Sequence, residues 1–179
     1  PLDGWMQRAL TCAADHGGRV PPGAGQTRSG ESGDRDGAGG AWRRTFLDAP
    51  YLRDALVGMG MISETFETAT TWDRFAEFHA GVVAATTDAV RRVAGAGQVT
   101  ARFTHVYPDG PAPYYTVLAP SRPGSQLAQW AEIKSAAAEA ILRFGGTITH
   151  HHAVGRDHRP WYDRQRPPLF AQALAAAKR

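Results

Sequence analysis

Two β-rich runs, Gln98 to Tyr107 and Ala112 to Ala119, are separated only by Pro108-Asp109-Gly110-Pro111. Proline presets φ, aspartate bonds its own backbone and glycine accepts conformations closed to other residues, so this tetrapeptide is a turn and the runs pair as a hairpin. Each flank carries an amphipathic helix. Upstream, Thr70 or Thr71 caps the helix, Asp73 favours its first turn, and Phe75, Phe78, Val82, Ala85, Ala89 and Val93 form an apolar stripe that stops at Gly95 and Gly97. Downstream, Ser125 to Phe144 places Leu127, Trp130, Ala131, Ala137, Ala138 and Ile141 inward and ends at Gly145-Gly146. Met61 to Thr68 alternates like a strand before the first helix, and Thr147 to His151 reads as a short strand after the second.

Strand, helix, strand, strand, helix, strand is the ferredoxin-like split βαβ plan, an α+β sandwich with an antiparallel sheet and helices on one face. The other face of such a sheet is open to a partner. Proline at 113 removes a backbone donor, so its strand is expected at an edge or beside a bulge.

Before this block, residues 1–16 read as a helix (Leu2, Trp5, Met6, Ala9, Leu10, Ala13) and residues 17–40 as a flexible Gly/Pro-rich segment. The folded domain is expected over 41–179, opening with a short helix from Ala49 to Val57. Helical pattern is already under way at Pro1 and still running at Arg179, so a fragment of a larger protein is expected. The 179 residues, 42% of them hydrophobic, suit one domain. The single cysteine, Cys12, provides no disulfide framework and fits a reducing, cytoplasmic compartment. No apolar run approaches the roughly 20 residues of a membrane-spanning helix. The net charge of +3 comes from arginine, with Lys134 and Lys178 the only lysines. Arginine allows a phosphorylated ligand and equally follows from nucleotide bias; its scatter gives no nucleic-acid tail.

Chemistry concentrates at His150-His151-His152. Three readings are open: acid, base or substrate contacts; metal ligands; or one core hydrogen bond beside two solvated rings. A metal would recruit His150 and His152 with His105, His158 or Asp157, but neither HExxH nor paired Cys/His spacing occurs, so no metal is expected. In an extended segment His150 and His152 share one face and His151 takes the other, unless the strand ends within the triplet.

Four segments in order carry a resemblance: Tyr51-Leu52-Arg53-Asp54; Thr65-Phe66-Glu67-Thr68 with Trp72-Asp73-Arg74; His105-Val106-Tyr107 through Gly110 to Tyr114; and Thr147 through Arg156. Together they resemble the alkyldihydroxyacetonephosphate synthase family of FAD enzymes, within the vanillyl-alcohol oxidase superfamily. The resemblance covers Ala49 to Arg179 and implies a ferredoxin-like cap, or substrate, domain that works with an FAD-binding domain of the same polypeptide and is inactive without it. Nothing here matches that domain's glycine-rich loops, so the chain alone is expected to bind FAD weakly or not at all.

By the same resemblance Tyr114 is the catalytic proton donor or acceptor, and His151 and His152 are catalytic and line the flavin side as cofactor-binding residues. Arg53, Thr65 and His150 are substrate-binding, with Arg53 suited to an anionic headgroup. Thr65 stands where the family has serine, which adds a methyl to the pocket. The implied reaction exchanges the acyl group of acyl-dihydroxyacetone phosphate for a fatty alcohol, as in ether lipid synthesis. The partners are then a lipid-like phosphorylated substrate and, for the full-length enzyme, a homodimer mate and a peripheral membrane contact.

An alternative is an FAD-linked oxidoreductase acting on a 2-hydroxy acid or another alcohol. A third reading is a non-catalytic ferredoxin-like binding module. The aromatic pattern of an RNA-recognition strand is missing from Arg102 to Tyr107, so no nucleic acid is expected.

Overall fold

The computed structural model describes residues 2–20 and 38–179. Most of the expected flexible segment lies outside them. Two units, Pro1–Ala49 and Pro50–Arg179, divide the chain. The first contains α1 (Leu2–Asp15). The division falls inside α2 (Ala38–Gly58), at Pro50, which interrupts the helical hydrogen bonding. This helix begins well before the short one expected from Ala49.

The second unit continues as β1 (Met61–Glu67), α3 (Trp72–Ala94), β2 (Gln98–Val106), β3 (Pro111–Pro120), α4 (Gln126–Arg143), α5 (Arg159–Gln165) and α6 (Pro168–Ala177). The architecture is α+β, with an antiparallel sheet in the order β1-β3-β2. Alternation sends Ile62, Phe66, Tyr115, Val117 and Ala119 into one buried layer with Phe78 and Val82 of α3 and Ile133 and Ile141 of α4. Phe66 and Tyr115 stack at 4.9 Å between ring centroids. The opposite face carries Thr65, Glu67, Tyr114, Thr116, Thr100 and Arg102, aligned in rows by register. That is the open face.

Two expectations are corrected. Thr147 to His151 is not a fourth strand; among the described residues the sheet has three. The segment follows the β1 edge through Thr147 N–H to Ala69 O (2.9 Å) and His150 N–H to Glu67 O (3.2 Å). Between these points Thr147 Oγ1 accepts from Ala69 N, and at His151 φ is +56°, so no ladder propagates.

Proline 113 takes the second of its two expected settings: its strand is central in the sheet and lies beside a bulge. Its missing donor is tolerated because β2 bulges opposite it, between Phe103 and His105. Leu127 is 81% exposed and Ala131 is also exposed. Ala137, Ala138 and Ile141 are buried as expected, joined by Gln129, Ile133 and Ala140, and Leu127 is some 200° around the helix from Gln129.

The hairpin turn is clamped to the β1–α3 junction. Trp72 N–H donates to Asp109 O (3.1 Å), Trp72 Nε1 to Tyr107 O (3.0 Å) and Tyr107 N–H to Gly110 O (2.9 Å). A Cβ on Gly110 would lie 2.0 Å from Thr70 O, and backbone cannot rotate away as a side chain can. We expect Gly110→Ala to lower stability by about 2 kcal/mol, read as a shift of the urea midpoint. Gly58→Ala, where a Cβ meets nothing within 4 Å, should not destabilise.

Candidate active site

The centre of the open face is a buried carboxylate. Glu67, at the end of β1, is 4% exposed. The β2 bulge explains its partners: the extra residue brings two successive side chains, Thr104 and His105, to the same carboxyl. Thr104 Oγ1 donates to Oε1, and His105 Nδ1 lies 3.3 Å from that oxygen. From the segment after α4, His150 Nδ1 lies 3.5 Å from Oε1 and His152 Nε2 lies 3.5 Å from Oε2, both ion-pair distances. Burial alone would raise the Glu67 carboxyl; the hydrogen bonds from Thr104 and His105 and the charge of His150 and His152 outweigh it and hold it below the ordinary range.

Side-chain bonds fix the histidine segment. Gln165 of α5 brackets it, donating from Nε2 to Gly146 O (2.7 Å) and accepting from Ile148 N at Oε1 (2.9 Å). Ile148 is buried as an anchor, and Thr68 Oγ1 donates to Thr147 O. The chain then turns sharply, with His152 N–H donating to His150 O at 2.7 Å. The extended course of the chain thus ends within the triplet, yet His150 and His152 both reach Glu67, while His151 stacks on His150 at 4.0 Å and stays exposed. Desolvation, helped by the charges of His151 and His105, outweighs the pull of Glu67 and holds the His150 imidazole below its ordinary value. Tyr107 OH sits 3.2 Å from His150 Nε2.

Tyr114 occupies the row between Glu67 and Arg102. The Arg102 guanidinium lies over its ring at 4.5 Å, and His152 meets it edge-on at 5.9 Å. A phenol flanked by a cation and a carboxylate-oriented imidazole is equipped to give or take a proton. The structure therefore brings Tyr114, His150, His151 and His152 together.

Arg53 and Thr65 lie elsewhere, in a cleft of about 530 Å³ over the free edge of β1, and His152 is the member of the triplet that also lines it. Arg53 is exposed, its nearest carboxylate Asp54 at 4.0 Å. Val57, Leu127 and Trp130 form an apolar wall. Behind them Glu64 accepts from both Lys134 Nζ and Trp130 Nε1. Burial, with the nearby Lys134 charge, holds His158 below its ordinary value at the same wall.

Glu67, Thr104, Tyr107 and Lys134 were not singled out by sequence reasoning. Glu67 had a signal: it is an acid in alternation with Phe66, at the end of a strand whose other face is apolar. The others depend on the bulge and on contacts remote in sequence. For FAD, the exposed imidazoles and the phenol on one face fit a planar ring placed against the sheet. Among the described residues no glycine-rich loop is available for its phosphates.

Comparison with known proteins gives a consistent result. The profile for FAD linked oxidases, C-terminal domain, matches residues 22–179. Alkyldihydroxyacetonephosphate synthase of Dictyostelium discoideum is 25% identical over 126 residues, covering 70% of this chain and 21% of that protein. The Caenorhabditis elegans protein of the same name is 33% identical over 127 residues, covering 67% and 20%. A solved structure of alkyldihydroxyacetonephosphate synthase superposes with a TM-score of 0.53 at 19% identity, over 72% of this chain and 22% of that one, a likeness of fold. The chain spans about one fifth of the length of the curated relatives it matches. Among the described residues no helix is long and apolar enough to cross a membrane.

Proposed function

Because this chain belongs to the family of C-terminal domains of FAD linked oxidases, we propose that it is the substrate-side domain of an FAD-dependent enzyme. It works beside an FAD-binding domain of the same polypeptide, in a reducing, cytoplasmic setting. The reaction is exchange of the acyl group of acyl-dihydroxyacetone phosphate for a fatty alcohol. The observation that carries this reading is the adjacency of two surfaces: a proton-handling row of Tyr114, His151 and His152 on the open face, and a cleft that combines a cation with an apolar wall.

Each residue then has a role set by its surroundings. Tyr114 gives or takes the proton at the substrate oxygen, with the Arg102 guanidinium stacked over its ring. His152, held by Glu67 and lining the cleft, orients the substrate between phenol and headgroup. His151, exposed above His150, faces the flavin side and stabilises charge there. His150, bonded to Tyr107, contacts substrate and supports His151. Arg53 takes the phosphate, for which a guanidinium fork is suited, and Thr65 adds a hydroxyl along the cleft floor. Val57, Leu127 and Trp130 accept the alkyl chain, which gives the exposure of Leu127 a use. Bound FAD supplies the covalent chemistry of the exchange.

The test uses the polypeptide that joins this domain to its FAD-binding domain. With an acyl-dihydroxyacetone phosphate and a labelled long-chain alcohol, label is expected in an ether product with no net bleaching of the flavin. Rapid anaerobic bleaching by a 2-hydroxy acid, without ether formation, would instead assign the oxidoreductase reaction.

A further inference from the structure

We propose that His105, His150 and His151 form a site for one divalent first-row cation, with zinc the best fit. The site goes beyond the flavin reading and does not rest on it, because every ligand belongs to this domain.

Three imidazoles from two remote parts of the chain present one ligand atom each, all within 4.8 Å of one another. Their rings are in contact: His150 stacks on His151 at 4.0 Å, His105 meets His151 edge-on at 4.4 Å, and His105 and His150 are 5.2 Å apart. An ion with bonds of about 2.0–2.1 Å holds tetrahedral ligands roughly 3.3 Å apart, so the rings close by at most about 1.5 Å. Two of the three rings are side-chain tips on an open face, where such a movement needs no backbone change.

The remaining bonds show which nitrogens are available. Glu67 occupies Nδ1 of His105, which leaves Nε2 for an ion. Tyr107 OH occupies Nε2 of His150, and the buried Nδ1 of that ring makes no hydrogen bond among the described residues but faces Glu67 Oε1 at 3.5 Å, so an ion there would share this nitrogen's side with the carboxylate. His151 is exposed. A buried carboxylate behind a histidine is the usual support of an imidazole–metal bond, since it fixes the tautomer and raises ligand basicity. Neutral imidazoles select zinc and its neighbours over calcium or magnesium, which require oxygen ligands. A set of three leaves the fourth position to water.

The grouping differs from the one that strand alternation suggests. An extended triplet would pair His150 with His152; the left-handed turn at His151 substitutes His151 and directs His152 to the other carboxylate oxygen.

Calorimetric titration of the chain with zinc chloride, paired with visible absorption of the cobalt(II) form, tests the site. One ion per chain is expected, with Kd at or below about 1 μM and the absorption of four-coordinate cobalt. His105→Asn and His151→Asn should each weaken binding by about tenfold or more. His152→Asn and His16→Asn should leave it unchanged. Failure to bind one ion, or binding that survives both His105→Asn and His151→Asn, overturns the proposal. If circular dichroism shows His105→Asn unfolded, the exposed His151→Asn decides alone.

Discussion

Tyr114→Phe, made in the polypeptide that carries both domains, is expected to lower turnover by about 10²- to 10⁴-fold, the range for loss of a positioned acid or base. The substitution removes one oxygen from a ring packed between Arg102 and His152, so the ring contacts survive and the proton does not. The Michaelis constant for the acyl substrate should change little, because Arg53 and the apolar wall of the cleft lie apart from the phenol. Steady-state measurement of kcat and KM separates the two effects. Arg53→Ala is the natural contrast, raising KM while leaving most of kcat. Unchanged turnover in Tyr114→Phe would reduce the phenol to a wall of the site.

Glu67→Ala is expected to destabilise the domain by about 3 kcal/mol, the order found when one partner of a buried charged network is removed. Four side chains converge on this carboxylate: Thr104, His105, His150 and His152. They will not suffer equally. His105 and His152 have side chains 39% and 38% exposed, so water replaces the lost acceptor cheaply. Thr104 is exposed and its hydroxyl keeps Ala112 O as an acceptor, whereas His150, at 16%, is left facing a void, and most of the cost falls there. Glu67→Gln keeps the shape and one acceptor oxygen but loses the charge, and about half the effect is expected. Urea unfolding of both variants measures it. A Glu67→Ala protein as stable as the parent would mean that the cluster is not knit through this carboxylate.

The elements that sequence reasoning found share one property: their signal is local. The hairpin declares itself through Pro108 to Pro111, and α3 through its apolar stripe and terminal glycine; Gly95 does adopt the positive φ of a helix stop. Tyr114 and the triplet were legible as residues because their order and separations persist in a known family. What was not legible was relational. Leu127 looked like core because apolar residues usually are, but it faces a cleft. The last strand failed because hydroxyls of Thr68 and Thr147 and the turn at His151 supply bonds that a ladder would otherwise make. Glu67 could not be identified as the hub, since its partners lie about 37 to 85 positions away and meet only after the sheet has formed.

The bulge in β2 has a consequence for how such a site can change. In a regular strand, parity decides which side chains face the chemistry, and one inserted residue reverses parity for everything beyond it. Here the reversal occurs between Phe103 and His105, so Phe103 packs with Phe75 and Trp72 while Thr104 and His105 both address the carboxylate. Deleting Thr104 would restore regular alternation with His105 still opposite Ala112 and facing the carboxylate, and would remove the hydroxyl that now donates to Glu67. Strand length is therefore a coordinate of the chemistry in its own right, and relatives that differ by one residue in β2 carry different sites even where their residues align.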